Sequence, residues 1–149
     1  MNPTAETTRI ESIEEYALYA LDRSTEGLNQ LIHDCRQCAE QLSAQSPGVI
    51  AQLSTLAVNL RDFDVFIKDI ASTFEADGAL LSDSNGEFQK TEQSFRASLE
   101  EFAALLGSQN LEGLAVLLDV ELPGVLTRFQ SLIPVLKDHI DVQYIRTSP

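Results

Sequence analysis

A chain of 149 residues, 44% hydrophobic, has the length and apolar content of one folded domain that needs no metal or disulfide staple. Ten Lys and Arg stand against 23 Asp and Glu, a net charge of −13, which argues against nucleic acid and anionic membrane surfaces as partners; the simplest account of the acidity is solvated helix faces, and the other is attraction to a basic partner. Residues 1–8 are expected to be a flexible N-terminus; they have neither a basic start nor an apolar run, so no secretory signal is expected. With only two cysteines, a reducing cytoplasm is the expected compartment.

One helical-bundle domain is expected over 9–142. The first helix runs from about Thr8 to Gln45. Ile10, Ile13, Ala17, Leu21, Leu28, Leu31, Cys35, Cys38 and Leu42 recur at spacings of three and four, which draws one apolar stripe. Thr8-Arg9-Ile10-Glu11 has capping-box form. Ser24, Thr25 and Gly27 are poor helix formers, so a kink or break is expected between Asp22 and Gly27.

Pro47 opens the second helix, whose stripe runs Ile50, Leu53, Leu56, Leu60, Phe63, Ile67, Ile70 and Phe74. Turn formers fill Ala76 to Gly86, and Ser84-Asn85-Gly86-Glu87 is a second capping-box pattern. The third stripe is Phe88, Thr91, Phe95, Leu99, Phe102 and Leu105, with Gly107 as the expected stop. Asn110 caps a fourth helix, striped by Leu114, Leu118, Leu122, Val125, Phe129, Leu132, Ile133, Leu136 and Ile140. Pro123 and Pro134 predict kinks or a split near Glu121, and 143–149 are expected to form a frayed tail. The fold expected is all-α: an antiparallel four-helix bundle of long helices, the first and last kinked or split.

Each candidate chemistry meets a simpler account. Cys35-x-x-Cys38 lies deep inside a helix rather than at its N-terminus, with both thiols on the apolar stripe, so core packing outweighs redox work. His33 is about 160° around the helix from Cys35, so the three cannot gather one metal. The residues three before His33 and His139 are Gln30 and Leu136, which fails the Glu-x-x-His di-iron pattern. His139, near a helix end, suits the helix dipole. No cofactor or metal is expected, and no nucleophile or phosphate-loop pattern appears.

Five residues are candidates for an interaction surface: Tyr16, Tyr19, Asp64, Glu121 and Tyr144. Asp64 and Glu121 sit at stripe edges. Their simplest account is a carboxylate in water, with Asp64 paired to Lys68; the alternative is a polar contact between helices or in a groove. Tyr16 and Tyr19 flank the first stripe. Closing the end of the core is their simpler role, and widening the stripe into a second surface is the other.

Leu111 to Leu126, Leu-Glu-Gly-Leu-Ala-Val-Leu-Leu-Asp-Val-Glu-Leu-Pro-Gly-Val-Leu, resembles a run in an uncharacterised family of small bacterial helical proteins. It departs from that run at Val116 and in the spacing of Pro123. The resemblance implies a bacterial source and a helical bundle, not an activity. In composition the chain is also similar to bacterial flagellar and secretion export chaperones. The function expected is a non-enzymatic protein-interaction module, a chaperone-like binder of a helical partner. Alternatives are histidine phosphotransfer through His33, in which His33-Asp34-Cys35-Arg36 supplies the basic residue of that motif without its Gly, and a structural homodimer.

Overall fold

The computed structural model describes residues 12–45, 47–73 and 87–142. The tails, the capping-box patterns at Thr8 and Ser84, the Ala76–Gly86 connection and Tyr144 lie outside the described residues. The described chain is a helical bundle without strands: α1 (Ile13–Ser43), α2 (Val49–Thr73), α3 (Glu87–Gly107), and a last column made of α4 (Leu111–Val116), a π-helical turn (Leu117–Glu121) and α5 (Leu122–Ile140).

α1 starts at Ser12. Its extended backbone and hydroxyl cap the helix, accepting from the Glu15 N–H at 3.0 Å, and this satisfies one of the orphan donors of the first turn. The expected break between Asp22 and Gly27 does not occur, and α1 is continuous. Ser24 and Thr25 donate their hydroxyls to the carbonyls of Leu21 and Asp22 at 2.6 and 2.8 Å, so they bond within the helix rather than against it. Leu21 and Leu28 are buried on either side and pin the weak stretch to the core.

α1 packs most extensively on α5. Asp22 pairs with Lys137 at 3.0 Å, and Asn29 accepts from Gln130. Numbers rise on α1 as they fall on α5, so these two helices run in opposite directions. The core is filled by the striped leucines and by one aromatic cluster. Phe129 of α5 meets Phe63 of α2 and Phe88 and Phe95 of α3, with centroids at 5.2, 6.3 and 5.5 Å and rings edge to face. That geometry sets ring edges against ring faces of opposite partial charge.

Two features differ from expectation: the end of α3 and the form of the distortion in the last helix. Gly107 is the last residue of α3, not its stop. The left-handed residue is Gln109, φ 59°, whose N–H donates to Leu106 while the Asn110 N–H donates to Leu105, closing the helix by a Schellman pattern. Asn110 then caps α4 as expected, accepting from the Gly113 N–H at 2.9 Å. A Cβ at Gly113 would lie 2.9 Å from Leu105 Cδ2 and 3.1 Å from the Asn110 side chain, so any larger residue there makes the Leu105 tip or the cap shift. The last helix is not split near Glu121. It widens into a π-turn in which the Leu122 N–H reaches Leu117 instead of Leu118. Pro123 follows directly; a proline ring clashes with the carbonyl four residues back, and a wider turn relieves that while the chain keeps going. Pro134 lies exposed inside α5 without ending it, held by buried Leu132, Ile133 and Leu136.

Candidate functional site

The five candidate residues do not converge. Tyr144 lies outside the described residues. Glu121 is exposed in the π-turn, which borders the C-terminal end of α1, whereas the tyrosines stand near its N-terminal end. Asp64 corrects the expectation of a carboxylate in water: it is only 8% exposed and sits on the core side of α2. Its Oδ2 takes Lys68 Nζ at 2.8 Å, the i,i+4 pair the spacing predicts, while Oδ1 is buried with no hydrogen-bond partner. Across from it, burial and then the Asp64 carboxylate push the Glu92 carboxyl of α3 above the usual carboxylate range, with Arg96 and Lys68 acting the other way. Thr91, one residue earlier on α3, is fully buried with its hydroxyl unpartnered. The α2–α3 seam therefore carries buried polarity that the sequence stripe alone does not announce.

Tyr16 and Tyr19 do come together, and they do not close the core. They are 56% and 50% exposed. Arg23 folds back on the same helix turn, donating to the Tyr19 hydroxyl at 3.0 Å with its guanidinium 5.6 Å over the ring. With Ala20, Ser24 and half-buried Phe66 of α2, they line a hollow between α1 and α2.

That hollow is one end of something longer. A second hollow, from Ser24 and Gly27 to Asp34 on α1 and from Asn59 to Phe63 on α2, shares Ser24 with the first. A third, from Asp34 to Cys38 and from Ala51 to Asn59, shares Asp34 and Asn59 with the second. Together they form a groove of three adjoining hollows along the α1–α2 seam. From Tyr16 to Cys38 it spans roughly 33 Å at 1.5 Å per residue.

The groove exists because the facing residues are small or short. Ala20, Ser24 and Gly27 lie on α1 toward the Phe66 end, Ala51 and Thr55 lie on α2 toward the Cys38 end, and Asn59 borders both stretches, so side chains leave space above the core. At Gly27 a Cβ would meet nothing within 4 Å. The floor is apolar, built from the outer edges of Leu31, Cys38, Leu56 and Phe63, with Phe66 at one end. The edges are polar and acidic. Asp34, which accepts from Gln30 at 2.8 Å, stands on the α1 edge and Asp62 on the α2 edge.

Both cysteines are free and buried, in keeping with the core expectation. Burial, reinforced by Cys38 and Asp34, pushes the Cys35 thiol up to about 12; burial also raises Cys38, whose edge borders the groove. Thiolate chemistry is thereby suppressed. His33 is exposed on α1. Among the described residues, no group of three His, Cys, Asp or Glu could hold a metal ion, and no helix is long and apolar enough to cross a membrane.

Compared with known proteins, the chain matches no family model, no curated protein and no solved structure. The site rests on its own residues.

Proposed function

We propose that the chain is a non-enzymatic protein-interaction module that accepts a helical segment of a partner protein, in the manner of a chaperone. The observation that carries this reading is the α1–α2 groove of adjoining hollows, with its apolar floor, polar edges and exposed tyrosines at one end. Two neighbouring helices with an unfilled seam offer a third helix the ridges-into-grooves packing that helices already use among themselves. The tyrosines supply contact area with a polar tip at little entropic cost.

Features that would favour catalysis point elsewhere. The displaced thiols serve the core, and Glu92 faces the α2–α3 seam rather than the groove. Free, buried thiols are in keeping with work in a reducing cytoplasm.

The test is site-specific photo-crosslinking in cells. A crosslinker at Gln30, on the groove edge, is expected to capture a partner protein, whereas one at exposed Glu100 of α3 is not. Equal capture from both positions, or none from Gln30, removes the reading. Phosphotransfer through His33 has that side chain's exposure in its favour. Incubation with a phosphorylated receiver domain that leaves no phosphohistidine removes it.

A further inference from the structure

The groove also specifies the chemistry of what it takes. We infer that its occupant is a basic amphipathic helix of about 20 residues, apolar side on the floor and Lys or Arg along its flanks. This rests on the interaction reading above and adds the class of partner. Length follows from the groove: roughly 33 Å matches about 22 helical residues. A helix suits it better than an extended strand, because strand addition needs an open sheet edge and the described residues contain no strand.

Charge decides the rest. Asp34 and Asp62 face each other across the opening from α1 and α2. Asp69 stands seven residues beyond Asp62, on the same edge of α2 and exposed. Arg23 is the cation that lines the Tyr16 end, and it is already engaged by Tyr19. It keeps its charge but stands eleven residues, about 16 Å along α1, from Asp34, beyond the roughly 10 Å screening length at 0.1 M salt. A cationic flank would find anionic partners on both edges while its apolar face dries the floor. A second copy of this chain is disfavoured, since docking would bring together two molecules of net charge −13.

The experiment uses the full chain and three synthetic amphipathic helices of about 22 residues each. They share one leucine face and differ on the polar face, which is Lys-rich, Gln-rich or Glu-rich. Binding is read by fluorescence anisotropy at low and moderate salt. The Lys-rich helix is expected to bind at least about tenfold more tightly than the Glu-rich one, and to weaken about tenfold as salt rises. Gly27→Met puts a side chain into open groove space and replaces a poor helix former, so it should weaken binding at least about tenfold without lowering the melting temperature. Asp34→Asn with Asp62→Asn should bring the Lys-rich helix down to the affinity of the Gln-rich one.

If all three helices bind alike and Gly27→Met abolishes them all, the basic-partner inference fails and the groove reading stands. If the Lys-rich helix binds but ignores Gly27→Met, it is held by general acidity and both fail. If none binds, the inference is overturned. A concentration-dependent dimer that Gly27→Met dissociates would name a second copy as the occupant and overturn it too.

Discussion

Glu92→Gln isolates the buried polarity between α2 and α3. Asp64 Oδ1 has no donor, and Glu92 is the titratable group facing it from α3, with Arg96 beside it and Lys68 on the α2 side; α5 brings the Phe129 ring to this seam. A Glu92 carboxyl above its ordinary value of 4.5 holds its proton in the folded chain at pH values where the unfolded chain has released it. The folded state then binds more protons, so Glu92 contributes stability that is complete below pH 4.5 and is lost as pH rises through the raised value. A donor to a buried charged acceptor is worth about 1.5–3 kcal/mol when fully enclosed; with Glu92 half-exposed and solvent-screened, about 1 kcal/mol is the expected size. The amide introduced by this substitution is a permanent donor that does not titrate. Urea unfolding of both chains from about pH 4 to 8 should show the variant gaining about 1 kcal/mol over the wild type near pH 7.5, with the gap shrinking at low pH. The remaining carboxylates titrate in both proteins and cancel in the difference. A gap that is flat with pH, or one that grows in the wild type's favour as pH rises, refutes the reasoning.

Three further outcomes are expected. Phe129→Ala deletes the ring shared by Phe63, Phe88 and Phe95 and should cost about 3–5 kcal/mol by denaturant unfolding, against less than about 1 kcal/mol if the aromatic cluster were loosely packed. Gln109→Gly relieves a left-handed backbone at the end of α3 and should raise stability by about 0.5–1 kcal/mol; a loss would mean the Gln109 side chain contributes more than its backbone costs. Cys35 and Cys38 should resist a thiol reagent at about pH 8 in the native chain and react fully in denaturant, and prompt native labelling of Cys35 would contradict its burial.

The helix bodies were legible because a 3.6-residue stripe depends only on the chain itself. Leu21, Leu53, Phe95 and Leu122 are buried where that stripe placed them. What depends on a neighbouring helix was not legible. Asp64 sits at a stripe edge, and whether an edge is wet is decided by how closely α3 lies against it. The groove has a sequence trace in Ser24 and Gly27 on α1, but those residues read first as weak helix formers. Their meaning appears only when Asn59 is seen opposite them. Pro123 announced a distortion without its form, since a kink and a widened turn both answer a missing N–H. Gly107 drew attention from Gln109 because glycine is the usual left-handed residue. The capping pattern at Ser12 and Glu15 was hidden behind a similar one at Thr8.

The π-turn has a consequence for the order of faces along the last column. One extra residue in a turn amounts to a phase change of about 100°. Leu114 before the turn and Leu122 after it both reach the core, while Val116 and Val120 are left on the outside. Deleting a single residue from 117–121 would restore an ordinary helix and rotate everything upstream by that angle. Leu114 would leave the core, and the Asn110 cap would swing away from the Schellman end of α3. The turn thus works as a phase adjuster: it lets a helix that begins under one constraint, the tight α3–α4 corner, finish under another, the long contact with α1.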